Sequence, residues 1–207
     1  MRESFRHEDT VVEASRVERV LHSGEHHVVG TVEQDSDRLV GFCASFATRS
    51  GTSLHWEIDL LGVISAARGN GIAPWLVQDS VSEGLRRGAT VARALVRRDN
   101  HAARAVFSGL QFAESKPQTL WVAEPNGVSM TIEAVRADCI PVSTLTYDGI
   151  WVEDPRDASA LEQARGLTQN LSQVIGAVLP VKSEAETWAE HAGYHRVGAY
   201  NWWTRDL

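Results

Sequence analysis

Cysteine is scarce in this chain of 207 residues, limited to Cys43 and Cys139. Two thiols cannot build a disulfide framework, and they stand at no metal-ligand spacing. No apolar run approaches the roughly 18 residues that a membrane span needs. The opening MRESFRHEDTVV is polar and carries no apolar core of a signal peptide. The expectation is a cytoplasmic chain in a reducing compartment, with no membrane partner. Basic excess is absent as well: 20 Lys and Arg face 27 Asp and Glu, for a net charge of −7. That balance argues against nucleic acid as the main partner and suits a cationic small molecule such as an amine. His22, His26 and His27 cluster, but at no common ligand spacing, so they read as solvated loop histidines and no metal is expected.

What is present is an ordinary globular composition, 43% apolar and 23% charged. The length allows one large domain or two small ones, with room for a real core. The stretch that organises the rest is WEIDLLGVISAARGNGIA, residues 56–73. Alternation predicts a strand over 57–64 with Glu57, Asp59, Leu61 and Val63 on one face, unless a bulge shifts the parity. A helix follows over 72–87, with Ala73, Val77, Val81 and Leu85 on one stripe and Trp75 opposite it. Between them lies the turn Arg68-Gly69-Asn70-Gly71-Ile72-Ala73. Glycines let a backbone approach a ligand closely, and the unpaired first amides of a helix attract phosphate. Arg68 adds a forked cation.

Two phosphate-binding motifs are excluded here. A P-loop needs a Gly-Lys-Ser/Thr ending that is missing, and a dinucleotide fingerprint beginning at Gly69 would need a small residue where Pro74 stands. The pattern Q/R-x-x-G-x-G/A is met in full by Arg68, Gly71 and Ala73. It resembles the acyl-CoA motif of the GNAT superfamily of N-acyltransferases. Further on, Asn100-x-x-Ala103-x-x-Val106-Phe107-x-x-Leu110-x-Phe112 resembles the second signature of that superfamily, N-x-x-A-x-x-L-Y-x-x-L-G-F. Periodicity predicts a helix over 11–21, strands at 28–33, 39–47 and 57–64, the helix over 72–87, a strand at 90–96, a helix from Asn100 and a strand at 120–122. The resemblance covers about residues 11–123. It implies an α/β (α+β) GNAT fold with a mixed, mostly antiparallel sheet, whose usual first strand and helix are not evident before residue 11.

Pro125-Asn126-Gly127 suggests a boundary, giving a GNAT acetyl-CoA-binding domain over 1–125 and a second segment over 126–207. In the second segment, strands are expected at 129–135, 144–152, 174–179 and 196–204. A helix should follow Asp154-Pro155, and another should start from a Ser183/Glu186 capping box. Sliding the chain by 82 residues lays Phe112 on Tyr194 and Trp121 on Trp203, with elements in the same order. The second segment therefore reads as a degenerate, partial GNAT-like half. It lacks the arginine-glycine turn and should not bind CoA. Four of seven tryptophans lie at or beyond Trp151, most simply as packing.

The resemblance implies acetyl transfer from acetyl-CoA, the co-substrate, to a primary amine of a small molecule by direct attack. Backbone groups of Leu61, Gly62 and Val63 would pair with the pantetheine arm, and an amide near Val63 would stabilise the oxyanion. Arg68, Gly69, Asn70, Gly71, Ile72 and Ala73 would hold the pyrophosphate, and Asn100 and Phe107 would line the cofactor arm. Glu57 stands where histone-acetylating relatives carry their base, with Asp59 beside it to raise one of the two pKa values. Phe107 occupies the position of a common proton-donating tyrosine, which leaves Ser108, water or an unprotonated thiolate; Gln111 replaces a usual glycine. A catalytically silent acyl-CoA-binding module or a scaffold of the same fold is the alternative. The chain could be a monomer or a homodimer.

Overall fold

The computed structural model describes residues 14–168, 170 and 172–207, so the charged start and the first residues of the expected first helix lie outside the described residues. Two compact units are formed. The first takes Glu18–Lys116 and Asn201–Leu207, and the second takes Pro117–Tyr200 with residues 14–17. The division thus falls at 116/117 and again at 200/201, whereas composition suggested 125/126. The cause is strand pairing: strand Gln118–Ala123 pairs within the second unit, and the chain's last residues pair within the first.

In the first unit, β1 (His26–Val32), β2 (Leu39–Ser50) and β3 (Ser53–Val63) form an antiparallel run, preceded by α1 (Ala14–His22), which begins in the other unit. Then come α2 (Ile72–Arg86), β4 (Val91–Arg97), α3 (His101–Gly109) and the two-residue β5 (Ala113–Glu114). β4 runs parallel to β3. The end of the last strand, β10 (His195–Asp206), neighbours β4 and pairs antiparallel with β5. The order is the expected one, and element ends differ by a few residues.

The parity of β3 is not the simple alternation. The register steps from Ala44↔Leu60 to Ser45↔Ile58, so Asp59 is an extra residue with no partner on β2. A bulge of this kind changes which face later side chains occupy. Trp56 and Ile58 lie in the core, and beyond the bulge Leu61 and Val63 pack on that same core. Leu61 and Val63 therefore do not share a face with Glu57, as uninterrupted alternation would have it.

Helix α2 buries Leu76, Val77, Ser80, Val81 and Gly84. Leu85, expected on that stripe, is exposed, while Trp75 is 50% exposed on the outer side, as its spacing predicted. Gly84 sits on the indole of Trp56: a Cβ there would stand 2.5 Å from Trp56 Cγ. The Trp56 indole N–H donates to Ser80 Oγ, and Ser80 donates in turn to Ser45 Oγ.

The second unit comprises β6 (Gln118–Ala123), β7 (Asp138–Ser143), β8 (Asp148–Glu153), α4 (Ala158–Ala164), β9 (Val174–Pro180), α5 (Glu184–His191) and the first part of β10. Its strands lie in the order β10-β6-β9-β8-β7. Two expectations are corrected here. Residues 129–135 hold a short 3-10 turn, Ile132–Ala134, in place of a strand. The strand expected over 144–152 is a hairpin turn followed by β8, because Thr144 Oγ1 accepts the N–H groups of Thr146 and Tyr147 and folds the chain back. The Ser183/Glu186 box does not close: Ser183 Oγ donates to Pro180 O, and Glu186 accepts from Lys182 N–H. Helix α4 is capped by Asp157, which accepts from Ala160 N–H.

Gly84→Ala is expected to destabilise the fold by about 1–3 kcal/mol despite the better helix propensity of alanine, because the new methyl meets the indole. Chemical denaturation checks this; an unchanged or raised midpoint would contradict the packing described.

Candidate active site

The site begins where a ladder stops. β3 and β4 pair only over His55↔Val91, Trp56↔Ala92 and Glu57↔Arg93, although β3 continues to Val63 and β4 to Arg97. Beyond Glu57 and Arg93 the two parallel strands part. Leu61, Gly62 and Val63 still pair with Cys43, Phe42 and Gly41 on the β2 side. Their other edge faces the opening, where an extended ligand could add hydrogen bonds as a further strand would.

The strand leads into a 3-10 turn, Ser65–Ala67, and then the glycine turn. Gly69 and Gly71 have φ of 82° and 74°, and a Cβ on either would meet no atom within 4 Å. Both need the left-handed region that glycine adopts without strain, and both leave open space over the backbone. Gly71 is the N-cap of α2; no side chain caps the helix, and its first turn holds no acid. The positive end of the helix dipole thus meets no acid of the helix's own first turn. Asn70 Nδ2 donates to Ala67 O and Arg68 Nε donates to Val63 O, at 3.2 and 3.1 Å, which ties the turn to the end of β3. Arg68 lies exposed at that turn. An uncapped helix start, two open glycines and an adjacent arginine fit a pyrophosphate.

The carboxylates differ in their surroundings. Glu57 is 2% exposed and Arg93 7%. Arg93 Nε donates to both Glu57 oxygens, at 2.7 and 2.9 Å, and Thr48 Oγ1 donates to Glu57 as well. Asp59, on the bulge, is half-buried. Burial, and then the negative charge of Glu57, push its pKa from an ordinary 3.8 to about 7.

Asn100 caps α3, its Oδ1 accepting from Ala103 N–H at 3.1 Å. Phe107 is 2% exposed, in the core, with its ring edge-on to Phe112 and tilted against Trp203. Ser108 next to it is exposed. Gln111 takes a φ of 63°, the left-handed conformation natural to a glycine. Among the described residues no group of three or more His, Cys, Asp and Glu could hold a metal. His27 instead pairs with Asp79, and His26 with Ser23.

Sequence reasoning passed over Arg93, Thr48 and Trp202. The guanidinium carbon of Arg93 lies 4.5 Å from the ring centroid of Trp202. Arg93 carried a usable signal, a charge in the middle of the apolar run VARALV, with Arg97 only at the strand's end. Thr48 and Trp202 carried none, since they reach the site only through strand pairing.

The model of the GNAT family of acetyltransferases matches residues 1–112, more than half of the chain. The chain belongs to this family. It is thus an acyltransferase. Among solved structures, a GCN5-related N-acetyltransferase from Sphaerobacter thermophilus is 14% identical with a TM-score of 0.58, over 94% of this chain and 85% of that one. At such identity the likeness speaks for the fold. NatC bound to Gag peptide and CoA (23%, TM-score 0.42) is matched over 44% of this chain, which spans 59% of the NatC chain. Arabidopsis thaliana NAA60 in complex with acetyl-CoA is 19% identical with a TM-score of 0.45, over 51% of this chain and 72% of that one. No curated protein matches.

Arg68→Ala is expected to weaken acetyl-CoA binding about tenfold or more, the size of one or two lost charge-assisted hydrogen bonds. Calorimetric titration measures it; an unchanged dissociation constant would remove Arg68 from the pyrophosphate site.

Proposed function

We propose that the chain moves an acetyl group from acetyl-CoA to a primary amine of a small molecule by direct attack. The observation that carries this reading is a half-buried carboxylate, Asp59, with a pKa near 7, two residues before the open edge of Leu61–Val63. A primary amine arrives protonated and must lose a proton before it can attack. Asp59 is ionised in useful proportion at neutral pH and basic enough to accept that proton. Glu57 resembles the base of histone-acetylating relatives in its position before Val63. It is held by Arg93 and Thr48, which suits it better to setting the charge beside Asp59.

The co-substrate supplies the acyl group and a thiol leaving group. For the rest, the amide donors along Leu61–Val63 orient the arm and offer a hydrogen bond to the oxyanion. Arg68 and the amides of Gly69 to Ala73 neutralise and fix the pyrophosphate. Asn100, whose side chain caps α3, would contact the arm. A free thiol's pKa near 8.5 makes departure without a proton donor tolerable. The burial of Phe107 gives one argument for a second reading, a silent acyl-CoA-binding module, since no phenol stands at that position.

We also infer that the second unit is a partial copy of the first. A shift of 82 residues carries α3 to 183–191, against α5 at Glu184–His191, and Trp121 onto Trp203. β6 lies between β9 and β10, as the end of β10 lies between β4 and β5. In the second unit the β8–β9 ladder runs from Gly149↔Val174 to Val152↔Ala177, one residue short of the end of β8. That near-complete pairing of β8 differs from the early parting of β3 and β4, which supports a single acetyl-CoA site per chain.

Thiol release from acetyl-CoA with a panel of amines tests the function. Asp59→Asn is expected to lower turnover by about 100-fold or more while acetyl-CoA affinity stays the same. Glu57→Gln should cost less, and kcat/KM should fall as the pH drops below about 7, where Asp59 protonates. Tight binding without turnover on every amine would favour the silent module. Stability offers a second check. Between about pH 4 and 7, folded Asp59 keeps a proton that the unfolded chain has released, so its ionisation opposes folding as the pH rises through that window. Asp59→Asn should therefore raise Tm at pH 8 more than at pH 5; an equal change at both would contradict the raised pKa.

A further inference from the structure

We propose that Trp202, from the last strand, and Arg93 form a positioning pair that locks the Glu57 carboxylate at the mouth of the parted strands, beside Asp59. The inference rests on reading Asp59 as the base, and it gives the chain's final residues a part in the site. Four contacts carry it. The pair Glu57↔Arg93 is the last rung of the β3–β4 ladder. Arg93 Nε bridges both carboxylate oxygens, and Thr48 holds the same carboxylate from β2. The Trp202 ring lies over the guanidinium at 4.5 Å, shielding it while contributing a cation–π attraction. The segment bearing Trp202 is itself fastened: Asn201 Nδ2 donates to Ser115 O at 2.7 Å, Trp203 is buried in the core, and Leu207 N–H donates to Thr90 O.

A charged pair under an aromatic ring, away from water, keeps its field; a wetted pair is screened. The groups bearing on Asp59 are Glu57 on its own strand, Cys43 on β2, and Arg93 on β4 acting through Glu57. From α2, Asp79 bears on Cys43 and is paired with His27 of β1. Only Glu57 and its two holders change the charge that Asp59 meets when Trp202 is altered. Trp202 and Arg93 are thus positioning residues, acting through Glu57.

The test is the titration of Asp59 in the full chain labelled with carboxyl-13C aspartate, its signal assigned by loss in Asp59→Asn. Wild type is expected to titrate at about 7. Trp202→Leu should admit water to the pair and lower that midpoint by about one pH unit, while Trp202→Phe, keeping an aromatic face, should leave it in place. A midpoint in Trp202→Leu equal to wild type, with only Tm reduced, would overturn the proposal. Should Trp202→Leu not fold, wild type decides alone: the Arg93 Nε–H resonance should be resolved and slow to exchange at pH 8, and fast exchange would overturn the pairing. Neither measurement needs an acceptor amine. Failure here is therefore distinct from an amine panel that yields no thiol.

Discussion

One ion pair stands where the sheet of the first unit opens. Glu57 and Arg93 are the last residues to face each other across β3 and β4, and both are buried. Isolated buried charges are costly; here Arg93 Nε–H is shared between both Glu57 oxygens, and Thr48 adds a third bond. A hydrophobic pair could hold two strands together equally well. A charged pair placed at the end of the ladder leaves a carboxylate beside the opening and an edge of backbone groups beyond it. The bulge at Asp59 follows within two residues, turning Leu61 and Val63 onto the core while the backbone keeps its course along β2. The open backbone edge, one half of a candidate cradle for the co-substrate, and the carboxylates thus come from one strand, made unequal along its length.

The other half of the cradle is the start of α2, and its placement depends on close packing. Gly84 lets the helix settle on Trp56, and the Trp56–Ser80–Ser45 hydrogen bonds tie the helix to β2 and β3. Ser45 Oγ continues the chain to His27 O at 3.3 Å. Buried polar groups that are satisfied in this way fix one arrangement of helix on sheet. The uncapped N-terminus of α2 is therefore held against the end of β3, with Arg68 bonded across the turn to Val63. A helix start without a cap is a local loss of stability, tolerable where an anion completes it.

The shape of the glycine turn was legible from residue types, because they carry its backbone geometry: glycines at positive φ, no acid in the first turn, and an arginine at a set spacing. The order of strands and helices in the first unit was legible for the same reason, since alternation and helical spacing survive in 39–110. The bulge was not, because an extra residue leaves no mark in WEIDLLGV. Nor was the partnership of Glu57: Arg93 lies 36 positions on, and only parallel pairing brings the two together. The return of 201–207 to the first unit escaped notice because the last strand is continuous in sequence and changes partners midway, from β6 to β5. In the second unit, Thr144 to Tyr147 looked like strand by composition, yet a threonine side chain bonding two backbone amides made it a turn.

The central claim is that one opening, between β3 and β4, receives acetyl-CoA. Backbone amide spectra of the 15N-labelled chain, recorded as acetyl-CoA is added, test it most directly. The account predicts shifts confined to Leu61–Val63, the turn from Gly69 to Ala73 and the start of α3, with Gly149–Val152 of the second unit unmoved. Shifts centred on β8 and β9, or no shifts in the glycine turn at saturation, would contradict it.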